Sequence, residues 1–202
     1  MLSTSIADDD AIVGAKQLLR RAVLLRRESR SAEERAALDE ERLAVLDATL
    51  SGRLPSTVAA YLSTGAEPGT LQLVGWLAAH DVTVLLPVLS RGRSPAWAPY
   101  AGPDALQIGR HGILEPSTDP LPVEGLAAAG LILCPGLAAN RAGDRLGRGG
   151  GWYDRALAQA APAAPVWVLL NDDEVLDAIP VQAWDRPVDA LVTPAGLLPC
   201  RR

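Results

Sequence analysis

The chain has 202 residues, 49% hydrophobic and 21% charged, with 24 acidic against 19 basic side chains for a net charge of −5. That is enough chain for one domain whose core needs no staples, and Cys134 and Cys200 are too few for a disulfide framework. The charge excludes a general attraction to nucleic acid or anionic membrane, and no apolar run reaches the roughly 20 residues of a membrane span. The acidic start MLSTSIADDD lacks the basic-then-apolar plan of a secretory signal, so a cytoplasmic location is expected.

In chain order, residues 1–9 are expected to be disordered. Ile12, Val13, Leu18, Leu19, Val23 and Leu24 then recur at helical spacing between basic residues. The arginines Arg20, Arg21, Arg26, Arg27 and Arg30 read as the solvated face of that helix. Ser31 and Glu34 form a capping-box pattern opening a second helix, which Gly52 and Pro55 close. Thr57–Leu62 fits a buried strand, Thr70–Ala79 a helix, and Val82–Leu86 a strand stopped by Pro87. Residues 90–125, rich in Pro and Gly, predict excursions and short antiparallel strands. Leu131–Cys134, Val166–Leu170 and Ala190–Val192 read as further strands, and Trp152–Ala160 as a helix. Strands alternating with helices mean an α/β domain with a mainly parallel sheet. In such sheets ligands bind beyond the carboxyl ends of the strands. The segments that follow the strands are therefore the first places to seek chemistry: 63–67, 87–91, 135–151, 171–174 and Thr193.

Five glycines fall between Gly143 and Gly151, interleaved with Arg145 and Arg148 and followed at once by a helix. Backbone N–H groups at a helix start together with two guanidiniums suit a polyphosphate cradle. The run is neither a Walker motif nor a dinucleotide fingerprint. Asp154, in the first helical turn, is either a favourable helix-end charge or a magnesium ligand beside bound phosphate. Asp189 is a possible partner, with Asp185 and Asp172 as competing candidates. Glu67 is a helix-end charge or a ligand-orienting carboxylate. No second ligand accompanies His80 or His111 at zinc spacing. Cys134 reads as an inert core thiol. Lys16 is the single lysine beside 18 arginines, which marks it as chemically distinct.

The stretch Pro135-Gly136, then Arg141-Ala-Gly143-Asp-Arg145-Leu146-Gly147-Arg148-Gly149-Gly150-Gly151-Trp152-Tyr153-Asp154, closely resembles the signature of the 5-formyltetrahydrofolate cyclo-ligases. In order around it stand four further features of that family: Lys16-Gln-Leu-Leu-Arg20, a strand followed by Glu67 and Thr70, Gly112-Ile-Leu-Glu115-Pro116, and Asp185-Arg-Pro-Val-Asp189-Ala-Leu-Val-Thr193. The resemblance covers nearly the whole chain. Trp152, Trp184, Pro194 and His111 depart from it, standing where the family more often has Tyr, His, Glu and an aromatic.

The resemblance implies a single domain over 1–202. Its fold would be three-layered α/β/α, related to sugar-phosphate isomerases and CoA-transferases, with the N-terminal helices packed against the sheet. It implies ATP- and magnesium-dependent cyclisation of 5-formyltetrahydrofolate to 5,10-methenyltetrahydrofolate, with ADP and phosphate released, in a monomer or weak homodimer. ATP would meet Lys16, Arg20 and 145–153, with Lys16, Arg145 and Arg148 catalytic. Folate would meet Leu62, Glu67 and 148–153, and magnesium Asp154 and Asp189. The competing reading is a catalytically altered relative that binds a nucleotide or sugar phosphate. Retention of Lys16, Arg20, Glu67, Asp154 and Asp189 together argues against it.

Overall fold

The computed structural model describes residues 6–89 and 94–201, without the side chains of 6–8, His111 and Val123. Helix α1 spans Ile6–Glu28, so residues 6–9, expected to be disordered, are helical; residues 1–5 lie outside the described residues. Helix α2 spans Ala32–Leu50 and is opened by the expected capping box, with Ser31 Oγ accepting from Glu34 N and Glu34 from Ser31 N. There follow β1 (Thr57–Ala59), α3 (Leu71–Ala79), β2 (Thr83–Val88), β3 (Ala96–Pro99), β4 (Leu106–Ile108), β5 (Leu114–Pro116) and β6 (Leu131–Pro135). The chain closes with β7 (Ala138–Ala139), β8 (Arg145–Leu146), α4 (Trp152–Leu157), β9 (Val166–Leu169), β10 (Ala190–Thr193) and β11 (Gly196–Pro199).

The central sheet has seven strands in the order β11-β10-β9-β6-β1-β2-β3. The five inner strands are parallel, and β11 and β3 close the two edges antiparallel. Pro87 does not stop β2, which continues to Val88. Tyr100 N–H donates to Val84 O, so Val84 and Tyr100 form a bonded pair and successive pairs along the ladder alternate between non-bonded and bonded. Pro87, opposite Trp97, falls on a non-bonded pair, where β3 needs no donor from it. The expected strand through Leu62 ends at Ala59, and Tyr61 and Leu62 leave the sheet at its carboxyl end. The helix expected to reach Ala160 ends at Leu157, where the bonds from Gln159 N to Ala156 O and from Ala160 N to Leu157 O tighten the last turn.

Alternation along the strands makes three layers. Val58, Val84, Leu86, Leu131 and Leu133 pack with Leu46 and Leu50 of α2 and Leu73, Val74 and Leu77 of α3. Ala59, Leu85, Ile132, Cys134, Val166 and Val168 face the other way, onto Leu126, Trp97 and the α4 residues Ala156 and Leu157. Helix α1 does not join either face. Its Val23 packs with Leu137, Ala138 and Leu146 of the β7–β8 ribbon and with Ile179, which sets α1 beside the carboxyl end of the sheet.

Buried arginines fix the placement of α1 and of α2. Arg27, read from the sequence as solvated, is only 1% exposed. It grips Glu174 with two 2.7 Å bonds and donates a third to Gly136 O. Arg42 on α2 is equally enclosed, donating to Leu170 O, Asp39 Oδ1 and Asn171 Oδ1. Charged forks buried this way persist because they are paired and hydrogen-bonded, although Arg27 Nη1 has no partner among the described residues.

Candidate active site

A cavity of about 320 Å³ opens at the carboxyl end of the sheet, where parallel α/β sheets hold their ligands. Each element brings one part of the wall. Helix α1 supplies Lys16 and Arg20, one turn apart on one face. The segment after β1 supplies Tyr61, Leu62, Thr64 and Glu67, and β2 ends there at Pro87 and Leu89. The β4–β5 hairpin adds Ile113 and Leu114. The stretch from Pro135 through Asp154 forms the floor, and the turn 182–185 closes the side with Gln182, Trp184 and Asp185.

The cavity's charges are arranged in pairs. Lys16 is 5% exposed, and its Nζ donates to Asp185 Oδ2 and to Gln182 Oε1, the latter at 3.1 Å. Asp185 Oδ2 also accepts Gln182 N at 2.7 Å, so the lysine is docked on a preformed turn. Arg145 donates to Asp154 Oδ1 at 2.9 Å and to Pro135 O at 3.2 Å, and its guanidinium lies 6.0 Å from the Tyr153 ring centre. Arg148 donates to Glu67 Oε1 at 2.7 Å. Arg20 Nε holds Gly147 O at 2.9 Å, tying α1 to the glycine loop. Four cations face three carboxylates, leaving one positive charge in excess (4 − 3 = 1). An anion is thus favoured, and Arg20 is the cation without a carboxylate partner among the described residues.

The glycines have separate physical reasons. Gly143 has φ of +94°, and an added Cβ would sit 2.6 Å from Val188 O. Gly149, at φ +102°, passes close under the Arg20 guanidinium, where a Cβ would lie 3.4 Å from Cζ.

Burial pushes the Tyr61 and Tyr153 hydroxyls well above their usual range, and neither has a hydrogen-bond partner among the described residues. Burial likewise pushes the Cys134 thiol up to about 11, which keeps it protonated and inert at neutral pH, as its place inside β6 suggests.

Every residue assigned from the sequence to ATP, folate, catalysis or magnesium borders this cavity except Asp189; the competing Asp172 does not border it either, and its Oδ1 accepts Ala195 N at 3.2 Å. Asp189 stands just before β10, at the opposite end of the parallel strands. Its Oδ2 accepts Val166 N at 2.8 Å and its carbonyl accepts Cys200 N at 2.8 Å, so it locks the entry of β9 and β10. The structure therefore does not bring Asp154 and Asp189 together. Asp185 is the second aspartate on the cavity, and Arg186 N donates to Asp154 Oδ1 at 3.3 Å, joining the two segments. Hydrogen bonds to Asp154 fall on Oδ1 and those to Asp185 on Oδ2, which leaves one hard oxygen of each without a hydrogen bond among the described residues. That donor chemistry suits magnesium.

Sequence reasoning missed Gln182, Tyr61 and Thr64 as contributors; only the segment following β1 pointed toward Thr64. The side chain of His111, which departs from the family pattern, lies outside the described residues. Glu115 of the Gly-Ile-x-Glu-Pro element is not a wall residue. It is 2% exposed and accepts Leu89 N at 2.9 Å, which holds the end of β2 over the cavity.

Residues 12–194 match the family model described as the 5-formyltetrahydrofolate cyclo-ligase family. A Mycolicibacterium smegmatis protein named 5-formyltetrahydrofolate cyclo-ligase is 39% identical over 187 residues, covering 89% of this chain and 94% of the relative. An Escherichia coli protein of the same name is 35% identical over 144 residues, covering 69% and 78%. The solved structure of Aquifex aeolicus 5,10-methenyltetrahydrofolate synthetase superposes with a TM-score of 0.81 at 29% identity over 93% of each chain. The 5,10-methenyltetrahydrofolate synthetase of Mycoplasma pneumoniae, at 20% identity and TM-score 0.71, shares the fold over 89% of this chain and 98% of its own.

Proposed function

The chain belongs to the 5-formyltetrahydrofolate cyclo-ligase family, and we propose that its cavity drives the ATP- and magnesium-dependent closure of 5-formyltetrahydrofolate to 5,10-methenyltetrahydrofolate. The observation that carries this reading is the convergence of Lys16, Arg20, Arg145 and Arg148 with Glu67, Asp154 and Asp185 on one cavity beside a glycine-rich loop. An isomerase site would have no use for so many phosphate-binding cations.

The chemistry asks little covalent help of the protein. A formamide oxygen is a poor leaving group. Transfer of the γ-phosphoryl group to it makes the leaving group phosphate, after which N10 of the folate attacks the activated carbon and phosphate departs. The protein's task is alignment and charge screening. Lys16, held by Asp185 and Gln182, presents a compact ammonium to the phosphates, and Arg145 and Arg148 present planar forks. Glu67, 7% exposed, supplies the acceptor for N–H groups of a pterin-like ring, and Leu62 and Tyr153 line the same wall. Asp154 and Asp185 would hold magnesium, whose charge would screen the phosphate oxygens. Substrates are small molecules, and no helix among the described residues is long and apolar enough to cross a membrane.

The test is an absorbance assay for the methenyl product with purified protein. Product should form with 5-formyltetrahydrofolate, ATP and magnesium together, and not when any one is omitted. Absence of product with all three refutes the proposal.

A further inference from the structure

We propose that Arg148 couples the two substrates: it masks the folate-side carboxylate Glu67 until nucleotide phosphates draw it away. The proposal rests on the assignment of phosphate and folate ends made above. It starts from the hydrogen bonds of Glu67. Oε1 accepts Arg148 Nε at 2.7 Å, while Oε2 accepts Thr64 N at 2.8 Å and Thr64 Oγ1 at 3.3 Å. Both oxygens are thus engaged before any ligand arrives. The carboxylate is fixed and 7% exposed, whereas its guanidinium partner is 52% exposed. The arginine is the member free to leave.

Arg148 also reaches Thr64 O at 3.4 Å, so one side chain straps the glycine loop to the segment after β1, 84 positions away in sequence. Its surroundings allow release. Gly149 and Gly151 sit at φ +102° and +61°, and nothing lies within 4 Å of where a Gly150 Cβ would be. Arg148 meets Glu67 through Nε alone, so a phosphate that takes the Nε–Nη2 edge takes Nε from Glu67. A polyphosphate carries more charge than a carboxylate and accepts that edge as a bidentate fork. Nucleotide binding therefore frees Oε1 for the ring N–H of the folate. By linkage, folate binding strengthens nucleotide binding by the same factor.

The experiment is calorimetric titration of the full chain with 5-formyltetrahydrofolate, with and without magnesium and a non-hydrolysable ATP analogue, repeated on Arg148→Met. In the wild type the analogue should tighten folate binding at least tenfold, equivalent to about 1.4 kcal/mol of coupling. Without nucleotide, Arg148→Met should bind folate more tightly than the wild type does, with its fold intact by circular dichroism. This nucleotide-free arm is decisive, because a merely weakened nucleotide site would not alter it. Folate affinity indifferent to the analogue in the wild type, or no tighter in the variant, overturns the coupling while leaving the folate assignment standing. A wild type that binds no folate under either condition overturns the functional reading, and the coupling with it.

Discussion

Arg27→Met should unfold this protein far more readily than any surface arginine change. Arg27 and Glu174 are each 1% exposed and meet through two 2.7 Å bonds. Removing the guanidinium strands the carboxylate, whose remaining donors are Asn171 N at 2.9 Å and Asn171 Nδ2 at 2.7 Å, with Arg30 Nη1 3.9 Å away. Breaking one partner of a buried pair costs about 3–5 kcal/mol, because the survivor keeps its desolvation penalty. For a chain of this size each kcal/mol moves the melting temperature by about 2–4 °C, so the loss should be roughly 6–20 °C. The same substitution removes the 2.7 Å bond to Gly136 O, one of the ties holding α1 and its Lys16 against the cavity. Adding Glu174→Gln should recover part of the loss, since it removes the stranded charge. Urea denaturation of the wild type, Arg27→Met and the double variant measures all three. A single-variant cost below about 1 kcal/mol would refute the reasoning, since that is the value of a solvated pair.

Lys16→Arg should lower turnover at least tenfold, about 1.4 kcal/mol, because a wide fork cannot occupy the enclosed place of an ammonium bonded to Asp185 and Gln182. Wild-type kinetics would show that any cation serves there. Gly143→Ala should destabilise by roughly 1–3 kcal/mol, combining positive φ with a backbone clash on Val188 O, whereas Gly150→Ala should be near neutral in chemical denaturation. Asp154→Asn and Asp185→Asn should each raise the magnesium concentration for half-maximal rate about tenfold or more; Asp189→Asn should lower the melting temperature and leave that titration unchanged. The Cys134 thiol is pushed by burial from the usual 9.0 to about 11, so the unfolded chain loses this proton first as pH rises. Its contribution to stability is complete below pH 9 and disappears as pH climbs through 11. Urea midpoints at pH 8.5 and 10.5 should show that decline, and Cys134→Ala should lessen it, the buried Tyr61 and Tyr153 hydroxyls supplying the remainder.

The parallel sheet was legible because its inner strands are apolar runs separated by helical periodicity, and Ser31 with Glu34 marks the start of α2 without tertiary information. The edge strand β11 was not, since Gly196-Leu-Leu-Pro199 owes its conformation to pairing with β10 and not to any pattern of its own. Arg27 shows why charge patterning misleads. Nothing local distinguishes it from Arg26, and only the arrival of Glu174 from 147 positions away buries it. The cavity's cations and glycine loop were legible from composition and resemblance. The choice between Asp185 and Asp189 was not, because four residues of spacing cannot say which end of a strand a carboxylate occupies. The hydrogen bond from Val166 N to Asp189 Oδ2 places that carboxylate at the far end of the strands.

The most direct test of the account is the fate of the formyl oxygen. 5-Formyltetrahydrofolate labelled with ¹⁸O at the formyl group, turned over with unlabelled ATP and magnesium in unlabelled water, should deliver the label into the released inorganic phosphate, one labelled oxygen per methenyl product. Methenyl product accompanied by unlabelled phosphate would contradict the claim that this cavity works by phosphorylating that oxygen.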